Sequence, residues 1–392
     1  MSRGYDVAPS SAIAKLEPFT LIVPDKDISE FQTLLQLSRL GPTTWEGKHE
    51  DRRFGITREW LADAKDYWLN KFDWRAHEKH INSFPNFKVA IEDDGEDFII
   101  HFAALFSEKK DAIPVAFFHG WPGNFLEFLP MLSLLKQKYS PENLPYHIIV
   151  PSLPGYTLSS GPPLDRDFTT EDASRIMNKL MVALGFGSGY IAQGGDVGSF
   201  VARTLSREYS ECKAVHLNMF SVLSPPEGVK LNEVELRGME RMQNFRNRGT
   251  AYAQEHGTRP STIGHVLSSN PLALLAWIGE KFLEWTDEDP SLDTILESVS
   301  LYWFSSAFPR SIYPYRGLFG GARRPDTFLE KPLGFSYFPF EIVLGPKAWV
   351  ESQGNLVWYR QHEKGGHFAA MERPGTLLKD VEDFIQHIWP VN

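Results

Sequence analysis

The spacing of hydrophobic residues predicts a mainly helical segment from residue 19 to residue 94. Asp27 is placed to cap a helix that ends near residue 40. A second helix is predicted in TREWLADAKDYWLNKF, because its large apolar side chains recur every three or four positions and so share one face. Those side chains belong to Trp60, Leu61, Ala64, Trp68 and Phe72.

A hairpin and then a regular alternation of strands and helices follow. FKVAIE (87–92) and DFIIHFAALF (97–106) predict two strands joined by a tight turn. Beyond them, short apolar runs alternate with amphipathic stretches, which predicts a mainly parallel sheet covered by helices on both faces. The strands are predicted at 113–118, 146–152, 189–193 and 214–220, and the helices up to about 139, at 171–184 and at 197–209.

The alternation stops at SPPEG (224–228), and a mostly helical block begins there. The sheet pattern resumes with FSYFPFEIV (335–343) and NLVWYR (355–360), and a last helix is predicted at 375–389. The helical block therefore interrupts one domain. We predict an N-terminal arm that wraps the core (1–94), the first part of an α/β core (95–223), an inserted helical cap (224–322) and the second part of the core (323–392).

The composition indicates a globular protein with little affinity for polyanions. Hydrophobic residues make up 42% and charged residues 23% of the 392 residues. The net charge of −10 disfavours binding to nucleic acid or to anionic membranes, so a small neutral substrate fits better. Cys212, the single cysteine, cannot form an internal disulfide, and no apolar run reaches the roughly 20 residues of a transmembrane helix. We expect a cytoplasmic protein without a transmembrane anchor.

The strongest chemical motif is QGGDVGS (193–199), in which a predicted strand leads into a predicted helix. Read as Gly-x-Asp-x-Gly, it has the form of a nucleophile elbow with Asp196 where esterases carry serine. Small residues on both sides permit the sharp turn that lifts the nucleophile above the edge of the sheet. The alternative is an aspartate that simply caps the following helix.

The motif HGWPG (119–123) directly follows a predicted strand. In a hydrolase of this topology, the loop after that strand supplies one backbone N–H of an oxyanion hole, and the residue after the nucleophile supplies the other. These residues are Trp121 and Val197. Taken alone, the motif would also fit an ordinary turn beside a buried His119.

His367, in KGGHFAAMERP (364–374), has the loop location and chain order of a triad base, with the nucleophile first and the histidine last. His362 lies nearer the end of a strand. The acid that orients the base should lie between the cap and His367. Glu341 is favoured because it lies at the end of a strand-like segment with a loop after it. The other candidates are Asp326, Glu330, Glu351 and Glu363.

No metal or cofactor site is predicted. His77 and His80 could share a helix face, but no third ligand lies nearby, so they are interpreted as surface residues. The chain contains no H-E-x-x-H motif, no P-loop and no Rossmann fingerprint.

Together these motifs resemble those of the epoxide hydrolases of the α/β-hydrolase superfamily, specifically the microsomal type in its soluble fungal form. The resemblance covers almost the whole chain. Besides the motifs quoted above, it rests on FDWR (72–75), NSFP (82–85) and PSLPGYTLSSGPP (151–163). It implies an α/β-hydrolase fold with a cap, a role in the detoxification of foreign epoxides, and a homodimer.

The resemblance also implies roles for individual residues. It assigns the nucleophile to Asp196, the base to His367 and the acid to Glu341. In the predicted cap, AYAQEHGTRPSTIGH and FPRSIYPYR place the two epoxide-activating tyrosines on Tyr252 and Tyr315. Tyr313, two residues away, remains an alternative to Tyr315.

An aspartate nucleophile narrows the reaction. With an ordinary pKa of about 3.9 it is ionised at neutral pH, and its attack on a saturated carbon gives an alkyl ester, whereas attack on an ester carbonyl would give a high-energy anhydride. Epoxides and alkyl halides both fit. A phenol can protonate an epoxide oxygen, whereas a halide needs no proton, so the two tyrosines favour an epoxide.

Two other functions remain as alternatives. Haloalkane dehalogenases usually carry tryptophan directly after the nucleophile, where this chain has Val197. A non-catalytic receptor with a hydrolase fold would bind a small apolar ligand beneath the cap, and the loss of nucleophile, base or acid would indicate it. The expected partners are therefore a small apolar epoxide and water, with no nucleic acid.

Overall fold

The computed structural model describes residues 4–222, 226–319 and 327–389. Within these residues, nine strands form one sheet in the order β1-β2-β3-β5-β4-β6-β7-β8-β9. The strands are β1 (Glu17–Pro18), β2 (Asn86–Asp93), β3 (Glu96–Leu105), β4 (Ile113–Phe118), β5 (Tyr146–Pro151), β6 (Tyr190–Gly194), β7 (Cys212–Leu217), β8 (Leu329–Tyr337) and β9 (Gly354–Gln361).

The sheet is parallel over six neighbouring strands and antiparallel at one edge. Strands β5, β4, β6, β7, β8 and β9 run in the same direction, whereas β1, β2 and β3 pair antiparallel. The prediction of a mainly parallel sheet is confirmed.

The helices lie between the strands in the predicted alternation. They are α1 (Asp25–Leu37), α2 (Arg58–Asn70), α3 (Trp74–Ile81), α4 (Leu129–Lys138), α5 (Thr170–Met181), α6 (Asp196–Glu208), α7 (Glu233–Asn244), α8 (Ala251–Thr258), α9 (Pro260–Ser268), α10 (Pro271–Trp285), α11 (Leu292–Phe304), α12 (Phe308–Ser311), α13 (Arg316–Phe319), α14 (Lys347–Glu351), α15 (Ala369–Glu372) and α16 (Pro374–Ile388).

Strand β4 shows why both faces of the sheet are covered. Successive side chains of a strand point to opposite faces, so alternate residues of β4 are buried in two hydrophobic clusters, one on each face of the sheet. Val115 and Phe117 pack in the cluster that contains α4 and α16. Ala116 and Phe118 pack in the cluster that contains α5 and α6. An apolar run with no polar face is typical of a parallel strand buried on both sides.

The N-terminal helices pack against the helical segment that connects β7 to β8, which we call the α7–α13 segment. The Trp68 indole of α2 donates a hydrogen bond to Ser300 Oγ of α11 at 3.1 Å. The rings of Phe31 and Phe304 lie 5.4 Å apart. The described residues between β7 and β8 contain helices and no strand, in agreement with the predicted helical block.

Two local predictions were wrong. Helix α1 begins at Asp25 with Pro24 at its N-cap, so Asp27 lies in the first turn and caps nothing. Strand β8 spans Leu329–Tyr337 and not 335–343, because the chain turns after it and Glu341 N–H bonds to Phe338 O at 3.2 Å.

The predicted segment boundaries remain predictions. Those at 223/224 and 322/323 lie outside the described residues, as does the candidate acid Asp326.

Candidate active site

Asp196 stands at a sharp turn between β6 and α6. Its φ angle is +44°, in the left-handed region that costs an L-amino acid strain. The turn requires glycine at two flanking positions. A Cβ atom at Gly194 would overlap the carbonyl of Gly198, and one at Gly198 would overlap the carbonyl of Phe118. The strand, turn and helix predicted for the elbow are therefore present.

The loop after β4 meets the Asp196 carboxylate. Trp121 N–H donates a hydrogen bond to Asp196 Oδ1 at 2.8 Å. Val197 lies in the first turn of α6, where backbone N–H groups lack an acceptor within the helix. The Asp196 side chain keeps 20% exposure, so the carboxylate is held by the backbone and still open to a small molecule.

His367 lies between two carboxylates. Its Nε2 is 3.3 Å from Asp196 Oδ2, and its Nδ1 is 2.8 Å from Glu341 Oε1. The backbone N–H of His367 bonds to Trp285 O at 3.0 Å, and the two rings meet edge to face with centroids 5.0 Å apart. This arrangement fixes the imidazole with one nitrogen toward each carboxylate.

Glu341 is fully buried in the turn after β8. Its Oε1 also accepts the backbone N–H groups of Ile342 at 2.6 Å and Val343 at 3.0 Å. The other described candidates lie elsewhere: Glu351 pairs with Lys347 at 3.5 Å, and Glu330 and Glu363 are exposed.

The two carboxylates change the basicity of His367. Burial alone would lower its pKa, but Glu341 and Asp196 outweigh burial and raise the pKa to about 10. The imidazole is therefore protonated at neutral pH.

Tyr252 of α8 and Tyr315 face the same region from the α7–α13 segment. Their rings pack on Trp121 with centroids 5.4 Å and 5.8 Å away. Their own ring centroids lie 5.6 Å apart, and burial raises the pKa of both phenols above its ordinary value. Both phenols are therefore protonated at neutral pH and can donate.

Tyr313 lies outside this group. Its ring packs against Phe168 with centroids 5.0 Å apart, and its hydroxyl finds no partner among the described residues. The sequence left Tyr315 and Tyr313 as alternatives for the second proton donor. In the structure it is Tyr315 that lies beside Tyr252 and Trp121.

Comparison with known proteins agrees with this geometry. Residues 16–128 match the family profile described as "Epoxide hydrolase N terminus", and residues 113–262 match "alpha/beta hydrolase fold". The solved structure of Aspergillus niger epoxide hydrolase superposes with a TM-score of 0.94 at 51% identity, over 99% of this chain and 100% of that one. The chain belongs to the epoxide hydrolase family.

Two further relatives show how widely the family likeness extends. Epoxide hydrolase 1 of Sus scrofa is 31% identical over 94% of this chain and 88% of its own length. Juvenile hormone epoxide hydrolase of the silkworm Bombyx mori superposes with a TM-score of 0.85 at 25% identity, over 95% of both chains. This epoxide hydrolase therefore has the α/β-hydrolase fold predicted from its motifs.

Sequence reasoning assigned no role to Glu372, although it lies in the motif that contains His367. Its carboxylate accepts the N–H groups of Gly366 at 3.1 Å, Phe368 at 3.0 Å and Asp287 at 2.8 Å. It thereby ties the loop that contains His367 to the residues just after α10. Glu372 follows His367 by five positions in GGHFAAMERP, and this spacing alone does not predict the contact.

The remaining histidines of interest have structural partners. His119 Nε2 accepts the N–H of Leu153 at 3.1 Å, and burial lowers the pKa of His119 to about 4. His362 Nε2 lies 2.6 Å from Asp380. His77 pairs with Glu297 at 3.1 Å, and the described residues contain no cluster of acidic, histidine or cysteine side chains suited to a metal.

Within the described part of the chain, no helix combines the length and the apolar character needed to cross a membrane.

Proposed function

We propose that this enzyme opens epoxides through a covalent ester on Asp196, which His367 and Glu341 then hydrolyse to a vicinal diol. One observation carries the proposal. The Asp196 carboxylate is held by Trp121 N–H on one side and His367 on the other, and the rings of Tyr252 and Tyr315 pack on Trp121. Nucleophile, base and proton donors thus converge on one point.

In the first step, an oxygen of Asp196 attacks an epoxide carbon. A new carbon–oxygen bond forms, and the carbon–oxygen bond of the strained ring breaks. Tyr252 or Tyr315 gives its proton to the ring oxygen, which would otherwise leave as a strongly basic alkoxide. Because the raised pKa values keep both phenols protonated, the donor is ready before the substrate binds.

In the second step, water attacks Cγ of Asp196 and His367 accepts the proton of that water. Trp121 N–H and Val197 N–H stabilise the oxyanion of the tetrahedral intermediate. The bond between Cγ and the ester oxygen breaks, and His367 returns the proton to the leaving diol. Esterification of Asp196 removes its charge and so lowers the pKa of His367, which gives its resting proton to the tyrosinate left by the first step and is then a neutral base for the water. When the diol has left, the proton of the regenerated Asp196 carboxylic acid returns to His367.

The leaving group distinguishes an epoxide from an alkyl halide. Halide departs as an anion and requires N–H donors, whereas the epoxide oxygen requires a proton. The group that faces Asp196 consists of two protonated phenols, and the residue after the nucleophile is Val197. This donor set supports epoxide opening over dehalogenation and over passive ligand binding.

An open cleft of about 1260 Å³ reaches Tyr252 from the surface. Five aromatic side chains line part of it, those of Trp45, Phe54, Phe245, Trp277 and Phe340, and charged side chains such as those of Arg52, Glu280 and Lys281 line the rest. The aromatic part of the lining is suited to a small apolar substrate. We propose that the epoxide enters here, between the N-terminal arm and the α7–α13 segment, which serves as the cap.

The cellular setting belongs to the same proposal. A cytoplasmic location agrees with the single cysteine, Cys212, which has no second cysteine in the chain to pair with. The detoxification of foreign epoxides and a homodimer are proposed from the family resemblance. Light scattering of the purified chain would measure its oligomeric state.

Parallel assays test the proposed reaction. The chain should convert styrene oxide to its diol, and it should neither release halide from alkyl halides nor cleave carboxylic esters at a comparable rate. Halide release without diol formation would favour the dehalogenase. Inactivity towards all three substrate classes, with tight binding of a small apolar ligand, would favour the receptor.

A further inference from the structure

A cavity of about 20 Å³ lies against Asp196 and His367. A buried water molecule needs roughly 10–15 Å³ of such space and two to four polar partners. Besides Asp196 and His367, the cavity is lined by the polar side chains of Glu127 and Asn218. It therefore has the size and the polar lining for one water beside the two reacting side chains.

Glu127 lines this cavity from the 3₁₀ turn Phe125–Phe128. This turn connects α4 to the loop after β4 that contains Trp121, which we call the Trp121 loop. A Cβ atom at Gly123 would lie 2.9 Å from Glu127 Oε2, so the glycine leaves the space that the carboxyl group occupies. None of the described residues forms a hydrogen bond or an ion pair with this carboxyl group. Its oxygens are thus available to a molecule in the cavity.

The turn that carries Glu127 is held firmly at both sides. Asn124 Oδ1 accepts the N–H of Leu126 at 3.0 Å, and Asn124 Nδ2 donates to Ser298 at 2.8 Å. Tyr302 donates its hydroxyl proton to the carbonyl of Gly123 at 3.0 Å. The carboxyl group is therefore fixed relative to the Trp121 loop.

Asn218 supplies a complementary group. Its Oδ1 accepts a hydrogen bond from Gln193 Nε2 at 2.8 Å, which leaves the Nδ2 amide group as a donor. This Nδ2 packs against Gly195, next to the nucleophile, where a Cβ atom would approach it to 2.7 Å. The cavity thus offers a donor as well as acceptors.

We propose that Glu127 holds the hydrolytic water in this cavity during the second step of the reaction proposed above, on which this inference rests. One O–H of the water donates to His367 Nε2, and the other donates to the Glu127 carboxyl group. Asn218 Nδ2 donates to the water oxygen, whose remaining lone pair attacks Cγ of Asp196. Glu127 takes no proton in the step, because His367 receives the one that leaves the water.

Burial raises the pKa of Glu127 to about 8, with the charge of His367 opposing the rise and that of Asp196 adding to it. In the ester state both charges are absent, because His367 is then the neutral base. A carboxyl group keeps an oxygen lone pair that accepts a hydrogen bond from water in either protonation state.

Single-turnover kinetics of Glu127→Gln test the inference. Quenched samples analysed by intact-protein mass spectrometry give the rates at which the ester on Asp196 forms and disappears. We expect ester formation within about two-fold of the wild-type rate and ester hydrolysis slowed about 10-fold or more, because glutamine replaces one of the two carboxyl oxygens with an amide donor. Glu233→Gln removes an exposed carboxyl group of α7 and is the matched control, with both rates unchanged.

The outcomes separate this inference from the proposed function. If no ester forms in the wild type, the proposed function and the inference fail together. If the ester forms and Glu127→Gln hydrolyses it at the wild-type rate, only the role of Glu127 is wrong. Equal slowing of both steps would mean a structural role and would also overturn it. Glu127→Asp shortens the side chain by one methylene and should also slow ester hydrolysis without slowing ester formation. If Glu127→Gln does not fold, Glu127→Asp tests the role of Glu127 in its place.

Discussion

His367 Nδ1 lies 2.8 Å from Glu341 Oε1, although 26 positions separate the two residues along the chain. The contact forms because β8 and β9 are neighbours and the turns that follow them meet at the same edge of the sheet. Phe340 and Gly366, each one residue before a member of the pair, form an isolated bridge there. The sheet therefore sets the distance between His367 and Glu341.

Replacing the base should separate the two chemical steps. His367→Gln should still form the ester on Asp196, because a carboxylate attacks without a base, but it should fail to release the diol. Intact-protein mass spectrometry would show an adduct with the mass of the substrate. His265→Gln, which changes an exposed histidine of α9, should turn over normally. Failure of His367→Gln to form any adduct would contradict the division of roles.

Replacing the acid should weaken the same step. Glu341→Gln removes the charge that supports the imidazolium of His367, so ester hydrolysis should fall by about 10² or more. Rapid-quench measurement of diol release gives the rate. Glu363→Gln and Glu351→Gln, which change exposed carboxylates, should behave like the wild type. A wild-type rate in Glu341→Gln would assign the acid to another residue.

The tyrosines should act in the first step only. Positioned proton donors contribute roughly 10² to 10⁴ in rate, and two donors to one oxygen partly replace each other. Tyr252→Phe and Tyr315→Phe should each slow ester formation, and the double variant should be far slower than either. Pre-steady-state fluorescence or quench experiments isolate this rate.

Tyr313→Phe provides the matched control for the tyrosines. Its hydroxyl group has no partner among the described residues, so its removal should leave ester formation nearly unchanged. A larger loss in Tyr313→Phe than in Tyr315→Phe would move the second donor by two positions and leave the chemistry intact. Unchanged ester formation in the double variant would refute the role of the tyrosines.

The raised pKa of His367 should appear in the stability of the protein. Because the pKa rises from an ordinary value of 6.5 to about 10, the folded state holds the proton more tightly than the unfolded state. The resulting stabilisation is fully present below pH 6.5 and is lost as the pH rises towards 10. Urea unfolding should therefore show a steeper loss of unfolding free energy across this window in the wild type than in His367→Gln. If the unfolding free energy fell with pH equally steeply in the wild type and in His367→Gln, the raised pKa of His367 would be contradicted.

Much of the fold follows from local patterns. Strand β4 is predicted with its observed bounds because an uninterrupted short apolar run between turn residues is typical of a strand buried on both faces. The elbow at Asp196 is predictable because glycines on both sides of one acidic residue mark a strained turn. Strand β8 was predicted too late, since its first half contains Glu330, Lys331 and Pro332, whereas the apolar run FSYFPFEIV extends past its end.

The site was less predictable than the fold. Glu341 was selected for its place near a strand, yet its contact with His367 depends on a turn that spacing alone does not specify. The choice between Tyr315 and Tyr313 depends on a single 3₁₀ turn, Tyr313–Tyr315, that directs the two rings to different neighbours. Glu127 gave no signal, because its importance comes from a cavity that forms only when the Trp121 loop, α6 and the His367 loop pack together.

The origin of the oxygen atoms tests the covalent ester on Asp196 most directly. A single turnover in ¹⁸O water, with enzyme in excess over epoxide, should leave the label in the Asp196 carboxylate, because water attacks Cγ of the enzyme and the diol takes its oxygen from Asp196. Mass spectrometry of the peptide that contains Asp196 would locate the label. We expect label in that peptide and unlabelled diol on the first turnover. Label in the diol alone would show direct attack of water on the epoxide and would contradict the mechanism.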